Sequence, residues 1–382
     1  MKKNLSRRLF VVGLLAVGTF FSSLHANAED GVTDSAILLG QTIGVTGQIA
    51  GPVKEMMAGA AAYFAYVNKN GGVHGRKIEV KTLDDKFDPA LAMSNADALI
   101  RKEHVFALFQ SRGTPHTQAI LPLLAEHKIP LIAPSTGAVT FHTPVNHYVF
   151  NVRAKYQDEV KKAVEQFATI GLKDIVLVHV DDSFGKDGLE GFQSAMQQFK
   201  LKPVSIISYD RAKPDIKAVA ASVVQSGGKA LILVTSGTTT AELINAIRDA
   251  GSAIQIMAVS NNSSQSFIDS LGKHATGIMV SQIVPAPHLL SSQLGQEFRQ
   301  VTKEHHVTES YAAMEGFVSA KVMVEGLRRA GKNPTREGLI RALESIKRFD
   351  LGGLTLTYSE KDHTGSEFVE LTMIGRDKRF LR

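Results

Sequence analysis

The stretch IVLVHVDDSFGKDGLEGFQSAMQQFKLKPVSIISYDRAKPDIKAVAASVVQSGGKALILV, residues 175–234, decides the fold class. It reads as strand 175–180, helix 188–199, strand 204–209, helix 216–225 and strand 231–234. Strands of four to eight residues alternating with helical patterns of ten to fifteen mark βαβ units and a parallel sheet. The alternation continues through a helix over 241–250, a strand over 256–259, a short helix over 266–271 and a strand over 277–283. It also holds upstream. Strand 37–45, helix 58–68 ended by Gly71-Gly72, strand 77–83, helix 90–102, strand 105–109, helix 117–127 and strand 130–133 form a first set. Two such sets predict an α/β protein of two Rossmann-like lobes with parallel central sheets.

After Pro285 the pattern changes to three helical stretches, 290–305, 312–330 and 336–346. Residues 353–358 and 368–374 then read as a β-hairpin around the polar turn 359–366. These late elements must cover faces of the earlier lobes, so the chain is expected to cross between them three times. The crossings fall near 151–154, 282–287 and 350–353. That division gives a first lobe of 33–152 plus 285–350, a second of 153–284 plus 351–382, and a three-strand hinge.

The composition is that of a globular protein: 382 residues, 44% hydrophobic and 21% charged, with no Cys and no Trp. Disulfides, thiolate metal sites, a cysteine nucleophile and a lipidated N-terminal Cys are excluded. Residues 1–28 read as a secretory leader, with Lys2, Lys3, Arg7 and Arg8, an apolar core over 10–21, and Ala26-Asn27-Ala28 as the cleavage site. Ser6-Arg7-Arg8-Leu9-Phe10 also fits a twin-arginine export signal, and both routes stay open. Without its four leader cations the chain carries 39 basic against 37 acidic residues. The overall basicity therefore argues little for nucleic acid, and no aromatic-interleaved basic stripe is present. A freely diffusing periplasmic monomer is expected.

Covalent chemistry finds no support. The chain has no GxGxxG after a strand, P-loop, GxSxG elbow or HExxH. Ser183-Phe184-Gly185-Lys186 spells SxxK without its partner motifs, and the adjacent His305 and His306 diverge too far on a helix to share a metal. No cofactor and no metal are expected. The strand-end loops instead carry hydroxyls, amides and small residues: Gln110 to Thr117, Pro134 to Gly137, Asp181 to Gly185, Thr235 to Thr238 and Ser260 to Ser263. Ligands of doubly wound sheets bind there, and free backbone N–H groups suit a small carboxylate or polar solute. Local helix capping is the competing explanation of the same residues.

With these residues the sequence resembles the type I periplasmic solute-binding proteins of ABC transporters, in the branched-chain amino-acid (Leu/Ile/Val) class. The resemblance is carried by Gly44-Val45-Thr46-Gly47, by Gly71-Gly72-Val73-His74-Gly75-Arg76, by Asp84-Asp85-Lys86-Phe87-Asp88-Pro89 and by Ile129 to Ser135, and it extends from about residue 37 to the C-terminus. It implies a ligand carboxylate gripped in the first lobe by Thr114, Ser135, Thr136 and Gly137, with Ser111 in the same loop and Phe184 as a wall from the second lobe. It also implies an acid after strand 256–259 for the ligand ammonium, where this chain has Ser260. Asp181 or Asp182 then supplies that acid, or the ligand has no ammonium; Arg112, Arg153 and Lys155 offer positive charge. The expected role is non-enzymatic. The protein would capture an amino acid, or an organic or aromatic acid, for a membrane permease. A ligand sensor of the same fold and a secreted hydrolase are the alternatives.

Overall fold

The computed structural model describes residues 29–382, so the leader expectation lies outside the described residues. The first lobe is built on β1 (Ala36–Ile43), β2 (Lys77–Asp84), β3 (Ala107–Phe109), β4 (Leu131–Ile132) and β5 (Val149–Phe150). These pair in the order β2-β1-β3-β4-β5, every pair parallel. Helices α1 (Ala50–Lys69), α2 (Pro89–Arg101) and α3 (Thr114–Glu126) connect them.

After α4 (Tyr156–Thr169), the second lobe holds β6 (Ile175–Val180), α5 (Ser183–Gln198), β7 (Ser205–Tyr209), α6 (Ile216–Gln225) and β8 (Ala230–Val234). It continues with α7 (Thr238–Asp249), β9 (Gln255–Ala258), α8 (Gln265–Leu271) and β10 (Met279–Gln282). Every residue of β6 and β8 is buried, as expected of parallel strands covered on both faces.

The chain then returns to the first lobe through α9 (Gln293–Lys303), α10 (Tyr311–Ala330) and α11 (Arg336–Glu344). Helix α10 lies directly on α1. A Cβ added at Gly59 would fall 1.9 Å from the Ala313 carbonyl oxygen, and one at Gly316 would fall 1.8 Å from that of Met56. Only glycine permits this approach, and it draws α10 close enough to bring Glu315 to the Ser135 hydroxyl behind the cleft wall.

Three helices start earlier than their apolar periodicity indicates. α1 begins at Ala50, α3 at Thr114 and α5 at Ser183. Their first turns contain Pro52, Pro115 and a glycine-rich segment, which carry no apolar stripe. The start signals there are proline in the first turn and the Asp182 side chain accepting from the N–H groups of Phe184 and Gly185.

The expected C-terminal hairpin does not form. β11 (Phe349–Asp350) pairs with β12 (Thr355–Leu356), whereas β13 (Glu370–Ile374) joins the second lobe, antiparallel to β10 and to β14 (Phe380–Leu381). The seven-stranded order is β14-β13-β10-β9-β8-β6-β7. The segment between the two halves of the supposed hairpin is the third crossing, over residues 364–369 rather than 350–353. Gly352 and Gly353 remain on the first lobe, where the Gly352 carbonyl accepts from Leu294 N–H at 3.2 Å. His363 stacks on Phe150 at 3.9 Å, and Asn151 pairs with Thr364 as the first and third crossings run side by side. Strand propensity marks which segments can extend, not which sheet receives them.

The motifs behind the family resemblance are mostly turn builders. Asp84 accepts from the N–H groups of Val45 and Thr46, tying down the 44–47 loop. His74 bonds the Arg328 carbonyl, and Arg76 donates to the carbonyls of Thr33 and Lys332.

Candidate functional site

The carboxyl ends of both sheets face one narrow cleft bordered by Phe87, Arg112, Thr114, Ser135, Tyr156, Phe184, Arg211, Ser236 and Asn261. In the first lobe, the loops after β3 and β4 are stitched together. Ser135 N–H donates to the Ser111 carbonyl at 2.7 Å, and Arg112 and Ser135 form a parallel bridge. Thr114 lines the cleft and its hydroxyl lies 2.8 Å from that of Thr136, which is itself buried beneath it. Ser135 lines the cleft as well. Gly137 and Ser111 do not. The Gly137 carbonyl accepts from Tyr156 N–H at 2.8 Å, and the Ser111 hydroxyl turns inward to Thr117 at 3.0 Å.

In the second lobe, Phe184 forms a wall, edge-on to Tyr156 with ring centroids 4.8 Å apart. Neither candidate aspartate presents a free carboxylate. Asp181 is exposed and lies 3.3 Å from Lys186. Asp182 caps α5 and binds Arg211 at 2.7 Å. Lys155 sits outside the cleft between Asp158 and Glu367.

The acids that matter are Glu159 and Glu315, both buried and both missed by loop-by-loop reading. Glu159 of α4 takes Arg153 Nη2 at 2.7 Å, Ser260 N–H at 2.8 Å, and the hydroxyls of Ser260 and Ser281 at 3.0 and 2.5 Å. Glu315 of α10 takes the Ser135 hydroxyl at 2.8 Å and lies 3.7 Å from Arg153. Glu315 had a signal: it is a lone acid in the apolar run YAAMEGFVSA, every residue of which is buried. Such an acid needs a partner. Glu159 lies in a more polar helix and carried no such mark.

Two guanidinium groups complete this network. Burial alone would depress Arg153, but Tyr156, Glu159 and Glu315 outweigh it and hold the group above its ordinary value. Arg112 is lowered by burial. It donates to the Ser135 hydroxyl at 3.2 Å and, across the lobes, to the Asn261 carbonyl at 3.0 Å. No carboxylate is hydrogen-bonded to it among the described residues. Arginine keeps its charge at any physiological pH, so Arg112 is a cation on the cleft wall whose hydrogen bonds go to neutral groups, with the charges of Glu315 and Glu55 acting on it only at longer range. His116 stacks on Phe87 at 4.2 Å, and burial pushes it down to about 4, so it is neutral at pH 7.

If the cleft takes an anionic ligand, Thr114→Ala should weaken its binding by about 1–3 kcal/mol in titration calorimetry, the cost of one lost donor to a charged oxygen. Ser135→Ala should chiefly lower the melting temperature, because Glu315 loses its closest donor, and should weaken binding less, through a less firmly held Arg112. Unchanged affinity in both variants would reduce these residues to helix and loop caps.

Asp187 of α5 reaches from the second lobe to the first, accepting from Val139 N–H at 2.8 Å. Burial pushes it up to about 6 from 3.8, as it does Asp85. The folded state thus holds this proton more tightly than the unfolded chain. Its contribution to stability is complete below pH 3.8 and disappears as pH rises through 6. Asp187→Asn removes that titration, so the melting difference between variant and parent should rise in the variant's favour from pH 4 to pH 7, by at most about 2–3 kcal/mol. A difference that does not vary with pH would contradict this.

A wider groove beside β14, bordered by Arg299, Glu309, Tyr311 and Arg379, is less suited to a solute. Its arginine at 299 is exposed and already paired with Glu309. Among the described residues, no cluster of three His, Asp or Glu could hold a metal, and no helix is long and apolar enough to cross a membrane. The His305-His306 pair lies exposed in a turn after α9.

Comparison with known proteins places this geometry in context. A periplasmic binding protein family model matches residues 37–378. The Leu/Ile/Val-binding protein homolog 3 of Brucella melitensis is 22% identical over 342 residues, covering 86% of this chain and 90% of the relative. A substrate-binding periplasmic protein from Ralstonia solanacearum superposes with a TM-score of 0.85 at 27% identity, over 90% of this chain and 99% of the other. A fatty acid ABC transporter substrate-binding protein from Thermomonospora curvata superposes with a TM-score of 0.84 at 21% identity, over 93% of both chains.

Proposed function

Because the chain belongs to the periplasmic binding protein family, with Leu/Ile/Val-binding homologues among its relatives, we propose that it is the solute-capturing subunit of an ABC importer. It binds a small carboxylate that has no α-ammonium and presents it, between closed lobes, to a membrane permease. The protein works in the periplasm as a monomer, and it catalyses no reaction.

One observation carries the choice of ligand. The cleft wall holds a buried cation, Arg112, to which no carboxylate is hydrogen-bonded among the described residues, while both buried acids behind the wall are already engaged. Glu159 accepts four donors on two oxygens. An ammonium entering this cleft would lose its water without gaining a free carboxylate, at a cost of several kcal/mol. A solute carboxylate meets Arg112 together with the Thr114 hydroxyl, while the Ser135 hydroxyl, donating to Glu315, accepts from Arg112 and steadies it. Phe87, Tyr156 and Phe184 supply an aromatic surface for its apolar body. The Brucella relative is named for Leu, Ile and Val, and the Thermomonospora protein for fatty acids. Those ligands share a carboxylate and differ in the amine.

Matched pairs test the reading. Thermal shift and calorimetry would compare leucine with 4-methylpentanoate, valine with isovalerate, and phenylalanine with 3-phenylpropanoate. In each pair that binds, the amine-free acid should win. A ligand at one hundred times its Kd adds about 2.7 kcal/mol to folded-state stability, well within reach of a melting assay. Tighter binding of leucine, valine or phenylalanine than of its partner acid would overturn the ligand assignment. Asp181→Asn should leave affinity unchanged, since that side chain stands in solvent beside Lys186.

A further inference from the structure

The lobes also meet beyond the cleft, along a seam where α1 of the first lobe faces the start of α8 in the second. Glu55 of α1 reaches into the second lobe, where Oε2 accepts from Gln265 N–H at 2.9 Å and Oε1 from Ser266 N–H at 2.8 Å. Among the described residues neither of these N–H groups has an acceptor within its own lobe, and the Ser264 hydroxyl is committed to Phe267 N–H at 3.1 Å. One turn earlier, Gly51 faces the same spot: a Cβ there would fall 2.5 Å from the Ser266 hydroxyl oxygen. Beside it, the Gln48 carbonyl accepts from Thr238 N–H at 3.1 Å. None of Gln48, Gly51, Glu55 or Ser266 borders the solute cleft.

We propose that Glu55, seated by Gly51, is a latch that sets the fraction of molecules in the closed arrangement and thereby the affinity for every solute. The inference rests on capture by lobe closure. A carboxylate bonded to two backbone N–H groups of the opposite lobe exists only when the lobes are together, so it stabilises that state selectively. Where only a fraction of molecules is closed, the apparent Kd is the intrinsic one divided by that fraction. A residue that changes the fraction therefore changes all affinities by one factor and leaves their ratios alone. Glu55 positions the lobes and does not touch the solute.

The sign of the effect separates this role from simple electrostatics. The negative charge of Glu55 is felt at Arg112. If that field were its only influence, removing it would strengthen binding of an anion. A latch requires the opposite.

The absence of Cys from the chain makes the seam accessible to spin labelling. Cysteines introduced at the exposed positions Lys102 and Lys217, one in each lobe, report the inter-lobe distance by pulsed electron resonance. Glu55→Gln, Glu55→Ala and the wedge Gly51→Val should each shift the distribution of the solute-free protein toward longer distances. Affinities for 4-methylpentanoate and 3-phenylpropanoate should fall together, by about 5–30-fold, as expected for two lost charge-assisted hydrogen bonds that water partly replaces. Glu55 is only half-buried, so its variants should fold even if the Gly51 wedge does not. Unchanged distances, tighter binding in Glu55→Gln, or unequal losses for the two acids would each overturn the latch. If the parent protein binds no solute of the panel, the capture reading fails by itself. The distance distributions still decide the latch.

Discussion

Replacing Arg112 with methionine should remove most of the affinity for carboxylate solutes, by about 2–5 kcal/mol, the range for truncating one side of a buried charge pair. Methionine preserves much of the length and packs beside Met56, whose sulfur lies 3.8 Å from Arg112 Nη1. The loss then reports charge and hydrogen bonding rather than an empty space. Lysine should recover only part of it, since one ammonium cannot reach Ser135 and Asn261 while also facing the solute as a planar fork does. Titration calorimetry with the amine-free acids is the measurement. Affinity within threefold of the parent would mean that the carboxylate sits elsewhere and that Arg112 merely links the lobes.

The second large effect concerns stability. Glu159→Ala should destabilise the protein by roughly 3–5 kcal/mol, because it strands a buried guanidinium. Arg153 would keep the Ser260 hydroxyl at 2.6 Å but only the carboxylate of Glu315, at 3.7 Å, and Ser260 and Ser281 would lose the acceptor for three donors. Denaturant unfolding in the absence of solute should show a lower midpoint. Arg153→Met should be similarly damaging, since it leaves Glu159 charged and buried. The double variant Arg153→Met, Glu159→Leu should lose less than the sum of the two singles, a coupling that a double-mutant cycle reads directly. Additive losses would show that the two groups do not stabilise one another, whatever their separation.

These two predictions concern groups that reading along the chain treated unequally. Arg112 stood out because it lies in a strand-end loop among hydroxyls. Glu159 did not, because it sits in α4 and meets Ser260 only through the fold, 101 residues apart. Ser260 was identified as the place where an ammonium-binding acid is missing. In the structure an acid does reach that place, from a different element, and Arg153 neutralises it there. The two aspartates nearest in the loops were the natural substitutes, yet Asp182 is needed at the head of α5 and Asp181 points to solvent.

The sequence by itself determined the two α/β lobes, the parallel order implied by their βαβ units, and the hydroxyl-rich loops that border the cleft. Those features follow from local rules. Strand and helix periodicities span fewer than about twenty residues, and right-handed crossovers place consecutive strand ends on one side of a sheet. Tertiary structure alone decided that β13 joins β10 instead of β12, that the third crossing runs over residues 364–369, and that Glu159 and Glu315 close on Arg153. Each of these is a choice of partner between segments far apart in the chain. Charge pairing and sheet-edge pairing leave no periodic trace in sequence, because their energy depends on which groups lose water together once the lobes are packed.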